Sequence, residues 1–198
     1  MKICAWLKGR VEDLGCKDRL VIAIGGFHGT GKSTYAKALA KTFGLRHVSA
    51  GGAFRKLAEK MGLTLKELGE KAARDRSIDE MIDNMVREEA LKGGVVVDGM
   101  LAAWMAENAH IKICLTAPDK VRFERIAKRD NISLEEAERF TLERERVEKE
   151  RYKRYYGINV EDLTVYDVIF NTELLPLENS IKILENIIRE YLSSKMEC

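Results

Sequence analysis

Apolar positions along the chain follow two rhythms. Short, almost wholly apolar runs recur, among them "LVIAIG" at 20–25, "GVVVD" at 94–98 and "IKICLT" at 111–116. Between them, apolar residues return every three or four positions. Solid runs suit strands covered on both faces, and the longer period suits amphipathic helices. Their alternation predicts a parallel sheet with crossover helices. The predicted strands are 20–25, 46–49, 94–98, 111–116 and 165–170.

Helical periodicity covers 32–43, closed by Gly44, then 51–61, 64–73 and 78–92, which fill a long gap between the second and third strands. It resumes at 118–129, 133–156 and 176–192. Ser133 followed by Glu136 has the spacing of a capping box. Ile181, Leu184, Ile188 and Leu192 place an apolar stripe on the last helix, which a core would cover. Two insertions depart from plain alternation, near 50–92 and near 130–157. Residues 1–18 form an N-terminal extension without a readable motif.

Composition narrows the class. With 198 residues, 45% apolar and 33% charged, the chain suits one globular domain with a sizeable core. The 34 Lys+Arg against 32 Asp+Glu leave a net charge of +2. That balance argues against a protein whose main task is neutralising long nucleic acid. No apolar run approaches the ~20 residues of a membrane span, and the apolar core within residues 1–10 is too short for a secretory signal. The expectation is a cytoplasmic monomer. Cys4, Cys16, Cys114 and Cys198 form no C-x-x-C pair or zinc-like array; Cys114, inside an apolar run, reads as a buried reduced thiol.

Chemistry enters at residues 26–33, "GFHGTGKS", which fit G-x-x-x-x-G-K-[ST] between a predicted strand and a predicted helix. Gly26, Gly29 and Gly31 let the backbone curl around Thr30, so that successive N–H groups point at phosphate oxygens. The following helix adds the positive end of its dipole. Lys32 supplies a cation for the β- and γ-phosphates, Ser33 a hydroxyl for Mg²⁺, and Thr34 a neighbouring donor. His28 is read as a lone histidine tolerated in a variable loop position. Asp98, at the tip of the third strand, suits a carboxylate holding water on Mg²⁺ or, alternatively, a helix cap.

The helix at 133–156 adds a second set of charges. Arg144, Glu148 and Arg151 are spaced by four and three residues and share one face. Two arginines with an acid between them make a phosphate clamp; a solvated, salt-bridged helix is the alternative. Arg125 and Arg129, one turn apart, either lie along the nucleotide or sit on the surface. Arg55, in "SAGGAFR", is placed to meet an acceptor's phosphate.

With these motifs in view, the chain resembles the nucleoside monophosphate kinases, most of all cytidylate kinases of the archaeal type. The likeness runs through "GTGKST", "LRHVSAGGAFRKLA", "VVVDGMLAAWM", "KICLTAPDKVRFERIAKRDNISLEEA" and "RERVEKERYKRYYGINVEDLTVYDVIFNT". It implies a three-layer α/β P-loop fold over 19–198, with a five-stranded parallel sheet, an acceptor-binding insertion at about 50–92 and a mobile lid at about 130–157. It implies that Lys32, Arg144 and Arg151 bridge donor and acceptor phosphates. Ser49, Gly51, Arg55, Gly99, Met100 and Glu148 would surround the acceptor, and Arg125, Arg129, Asn171 and Thr172 would border the ATP base. ATP with Mg²⁺ is the implied donor, and CMP or dCMP, then UMP or AMP, the implied acceptor. A P-loop kinase of a non-nucleotide metabolite and a nucleotide-dependent switch or RNA-associated NTPase are the alternative readings.

The chain departs from the family at three places. Where the family usually has an arginine facing the acceptor, this chain has Met100 in Asp98-Gly99-Met100-Leu101; where it tends to have an acid, this chain has Gly52. The loop begins Gly26-Phe27-His28 against the commoner Gly-Pro-Pro. One charge-assisted bond is worth about 1.5–3 kcal/mol, so losing the arginine alone weakens CMP binding ~10–100-fold.

Overall fold

The computed structural model describes residues 18–195. The expected extension thus lies outside the described residues except at Asp18, as do Cys4, Cys16 and Cys198. Five strands, β1 (Val21–Gly25), β2 (Arg46–Ser49), β3 (Val95–Asp98), β4 (Ile111–Thr116) and β5 (Val168–Asn171), form one parallel sheet in the order β2-β3-β1-β4-β5. The five-stranded parallel sheet expected from the apolar runs is what the structure has. Helices are α1 (Lys32–Phe43), α2 (Ala50–Lys60), α3 (Leu65–Ala72), α4 (Ser77–Lys92), α5 (Ala102–Met105), α6 (Asp119–Asp130), α7 (Leu134–Tyr156) and α8 (Leu177–Lys195).

β1 shows why the sheet is covered on both faces. Side chains alternate along a strand, so Ile22 and Ile24 enter one core with Leu39 and Phe43 of α1 and Leu184 and Ile188 of α8. Val21 and Ala23 enter the other, with Val86 and Ala90 of α4 and Met105 of α5. A strand apolar at every position needs both. Residues 54–82 close a third, smaller core of Phe54, Ala58, Leu68, Ala72, Ile78 and Ile82, while Val86 and Ala90 tie the end of α4 to the second core.

Helix α7 is built differently. The Ser133–Glu136 capping box is present, and Gly157 ends the helix at φ 69°. Its buried positions, however, are Ala137, Thr141, Glu145, Glu148 and Arg151. A helix whose buried stripe carries charge is held by polar partners rather than by a core.

Two expectations shift. β5 begins at Val168, because residues 165–167 belong to a turn in which Tyr166 N donates to Leu163 O and Asp167 accepts from Lys112 N at 2.7 Å. The four-residue α5 went unforeseen. In the observed order the chain leaves β1 toward β2 on one side and leaves the adjacent β4 toward β5 on the other, so connections from these neighbours run in opposite directions. In such sheets the crevice beyond the strands' carboxyl ends at this switch point is where ligands bind. Register places the ends together: Asp98 pairs with Ile24 of β1 and with Ser49 of β2.

Candidate active site

The glycine-rich loop fills that crevice between β1 and α1. Two of its glycines are required by space as well as by conformation. Gly26 has φ 128°, and a Cβ there would lie 2.2 Å from Leu115 O; Gly29 has φ 79°, and a Cβ there would lie 2.5 Å from Arg122 O. Thr30 Oγ1 donates to Phe27 O at 2.8 Å and braces the turn. Lys32 Nζ donates to Gly26 O and Phe27 O, each at 2.8 Å. Burial pushes its ammonium down to about 8, against the pull of Asp98, Glu148 and Glu145. A cation kept in such a place is poised for an anion.

Beside it, Asp98 is 2% exposed. Ser33 Oγ donates to its Oδ1 at 2.9 Å, Ser49 Oγ to the same oxygen at 3.2 Å, and His47 Nε2 lies 2.6 Å from Oδ2. Ser49 also caps α2 by accepting from Gly52 N at 3.1 Å. A Cβ on Gly52 would stand 3.1 Å from Ser49 Cβ, so the cap crowds any side chain at this position.

Ser33 and Asp98 suit Mg²⁺: a hydroxyl and a carboxylate, both hard oxygens, at the mouth of the phosphate loop. Mg²⁺ takes few protein oxygens and completes its shell with water and phosphate. Among the described residues no group of three or more His, Cys, Asp or Glu could hold a metal, so an ion here would depend on the nucleotide's phosphates. Asp98→Asn is accordingly expected to raise the Mg²⁺ concentration for half-maximal activity by about tenfold or more. A magnesium titration that superimposes on wild type would leave Asp98 as a structural link among Ser33, Ser49 and His47.

A cleft of about 910 Å³ opens from the loop, where Gly29, Gly31, Lys32, Ser33 and Thr34 line it. The opposite wall comes from Gly51 and Arg55 of α2 and from Asp79 and Asp83 of α4; Gly99 and Met100 follow β3. Arg125, Arg129, Arg144, Glu148 and Arg151 complete it from α6 and α7, with Thr172 after β5. Residues from seven separate segments therefore converge. Burial, then Arg129 and Arg144, push the Arg55 guanidinium below its ordinary value. Such a gathering of like charge favours an anion between them.

The face read from the spacing of 144, 148 and 151 does line the cleft, but its internal pairing differs from expectation. Glu148 holds Arg144 alone, Oε1 to Nε at 2.8 Å. Its other oxygen, Oε2, lies 2.7 Å from the His28 ring. Glu148 was expected at the acceptor; both its oxygens are already engaged. Arg151, 2% exposed, turns instead toward α4, where its Nε stands 2.6 Å from Asp79 Oδ2. These two atoms are out of line for a hydrogen bond and have no such partner among the described residues, so the contact is coulombic. Burial pushes the Asp79 carboxyl up to about 7 against the pull of Arg151.

Arg125 donates to Thr172 Oγ1 at 2.8 Å and to Thr172 O at 3.1 Å, which fixes its guanidinium beside the loop. Arg129 pairs with Asp130 at the rim. Asn171 does not join them: its side chain is exposed and accepts from Glu173 N at 3.0 Å. Met100 is 8% exposed and packs with Leu101 and Met105 while its surface faces the cleft. Trp104 packs edge-on against Tyr166 at 5.8 Å and does not line the cleft. Arg122, Glu145 and Asp79 went unnoticed in the sequence, and no local spacing marks them. Cys114 is buried with a free thiol, as expected.

A phosphate loop at the switch point, facing cations from an inserted segment and from a long helix, defines a small P-loop kinase. Solved structures share the fold: a shikimate kinase from Bacteroides thetaiotaomicron at TM-score 0.58 and 20% identity, covering 85% of this chain and 98% of that one, and one from Aquifex aeolicus at TM-score 0.52 and 17% identity, covering 88% and 99%. The family model described as cytidylate kinase-like matches residues 21–174, and the chain belongs to that family. Among curated relatives, the cytidylate kinase of Staphylothermus marinus is 48% identical over 174 residues, 87% of this chain and 98% of its own. That of Methanocaldococcus jannaschii is 43% identical over 173 residues, 85% and 97%.

Proposed function

We propose that the protein transfers the γ-phosphoryl group of Mg·ATP to a nucleoside monophosphate, CMP or dCMP in preference to UMP or AMP. The observation that carries this is the division of cations around one cleft: Lys32 in the loop on one side, and Arg55, Arg144 and Arg151 across from it. Phosphoryl transfer asks little covalent help and much charge neutralisation at donor and acceptor alike. A nucleotide switch needs only the first set.

In this reading 19–198 is one kinase domain, with 50–92 the acceptor-binding insertion and 130–157 the lid. Lys32, Arg144 and Arg151 neutralise the transferred group, Ser33 and Asp98 hold Mg²⁺, and Arg55 binds the acceptor's phosphate. Gly26, Gly29, Thr30, Gly31 and Thr34 cradle or flank the ATP phosphates; Arg125, Arg129 and Thr172 border its base. Gly51, Gly99 and Met100 form the acceptor's wall. Bound Mg²⁺ would add Lewis-acid polarisation of the phosphates. We propose that it acts as a monomer; among the described residues no helix is long and apolar enough to cross a membrane. We place its work in the cytoplasm.

Relatives named cytidylate kinase support a cytosine acceptor. So does the chemistry of Asp79 and Asp83 on the acceptor wall. A carboxyl accepts from the cytosine 4-amino group, whereas uracil, like thymine, presents a carbonyl oxygen there. With Asp79 near 7, its protonated form also donates, matching the cytosine N3 acceptor.

The test is a panel of CMP, dCMP, UMP, AMP and shikimate with Mg·ATP, run on wild type and Met100→Arg. Wild type is expected to form CDP with the highest kcat/KM. Met100→Arg, which returns a guanidinium to the acceptor wall, is expected to lower the CMP KM about tenfold with kcat little changed. No CMP turnover in either form sinks the cytidylate reading; turnover of shikimate alone selects a metabolite kinase.

A further inference from the structure

His28 stands inside the phosphate loop, and nothing in the phosphoryl transfer described so far uses it. Its backbone N–H donates to Glu145 Oε1 at 2.9 Å, and its ring Nε2 lies 2.7 Å from Glu148 Oε2. Arg122 ties the same knot from α6, donating to His28 O at 2.8 Å and to Glu145 Oε1 at 2.6 Å. Two acids about one turn apart on α7 therefore grip one loop residue by its main chain and by its ring. The remaining oxygen of Glu148 accepts from Arg144 Nε at 2.8 Å. An unbroken line of hydrogen bonds runs from the loop, through Glu148, to the arginine.

The protonation states agree with that line. Burial, helped by Arg144 and Lys32, pushes the His28 ring below its ordinary value despite Glu148. Burial pushes Glu148 up, but the cationic and hydrogen-bonding groups around it outweigh this and hold its carboxyl below the usual range. The imidazole donates Nε2–H to the Glu148 carboxylate, which in turn accepts from a guanidinium.

We infer that His28 is a positioning residue, which fixes Glu148 and through it sets the Arg144 guanidinium over the phosphate loop; this rests on the proposed role of Arg144 in phosphoryl transfer. Glu148 alone cannot do this. It rides on the same helix as Arg144 and orients the guanidinium only relative to α7. His28 belongs to the loop that grips the donor phosphates, so its bond indexes α7 to them. A misplacement of about 1 Å in a reacting geometry can cost about a hundredfold, and a flexible arginine without an external stop has that freedom.

The test is a double-mutant cycle read with ATP and CMP: wild type, His28→Ala, Arg144→Ala and the double variant, with His28→Gln beside them. His28→Ala is expected to lower kcat about 10–100-fold while changing either KM less than about threefold. In the Arg144→Ala background, removing His28 should cost less than about threefold more. His28→Gln, whose amide N–H reaches toward Glu148, should recover most of kcat, which general damage to the loop would not allow. A His28→Ala loss equally large in both backgrounds overturns the inference, as does failure of His28→Gln to recover. If Arg144→Ala alone leaves kcat at the wild-type level, the role of Arg144 itself falls, and that outcome is distinct from the other two.

Discussion

Lys32→Ala is expected to lower kcat about a thousandfold or more while the melting temperature stays at or above that of wild type. The two halves of this result have one cause. The Lys32 ammonium is pushed down to about 8 from 10.5, with burial the largest cause. For a lysine whose folded value lies below its unfolded one, the folded state is penalised in full below the folded value, and the penalty fades as pH rises from the folded value to the unfolded one. At pH 7 the fold therefore bears a cost for keeping this cation, only partly offset by its bonds to Gly26 O and Phe27 O. Removing it relieves that cost. The gain for which the cation is kept comes in the transition state, where charge spreads over the oxygens of the transferred group. Steady-state kinetics and thermal melting on one preparation decide the matter. Activity within tenfold of wild type in a folded variant would separate the loop from phosphoryl transfer.

The parts of this molecule legible in its sequence are those in which local spacing and physical role coincide. Solid apolar runs announced β1, β3 and β4 because both faces of the sheet are covered. The loop was legible because its glycines serve backbone curvature and its lysine and serine sit at fixed offsets from them. Side-chain alternation explains the outward turn of Asn171. Thr172 and Phe170 are buried, and Asn171, one step along the chain, faces outward. A likeness carried by a run of residues does not say which of two neighbours points inward.

The missed residues share a different property. Arg122 with Glu145, Asp79 with Arg151 and His28 with Glu148 are buried polar pairs whose members are far apart in sequence. Charged residues are ordinarily exposed, so in "ERERVEKER" a solvated face stayed open beside the clamp reading. The buried stripe of α7 carries three charges among its five residues, and a search for apolar periodicity does not see it. Such pairs become visible only once tertiary structure brings two segments together.

Arg151→Ala is expected to reduce kcat about a hundredfold to a thousandfold, with a much smaller rise in the ATP KM. Arg151 lines the cleft yet is 2% exposed, and Asp79 meets its Nε out of hydrogen-bonding line at 2.6 Å. The guanidinium is thus held in place without its donors being used up on Asp79, which suits a group that must bind charge as it develops. Breaking a buried ion pair commonly costs 3–5 kcal/mol. Here the loss should be smaller, because Asp79 already sits near 7 and can take up a proton once its partner has gone. The sign of the pH dependence follows. An acid whose folded value exceeds its unfolded one favours the fold below the unfolded value, and that advantage is lost as pH rises toward the folded value. Deleting Arg151, which pulls Asp79 downward, moves the upper end of this window higher. The melting deficit of Arg151→Ala against wild type should therefore be small at pH 6 and larger at pH 8. Arg151→Lys, which keeps the charge but loses the planar fork, should restore stability more fully than kcat. Kinetics at saturating ATP and melting curves at both pH values read all of this. A kcat within threefold of wild type would return Arg151 to the role of a counter-ion for Asp79.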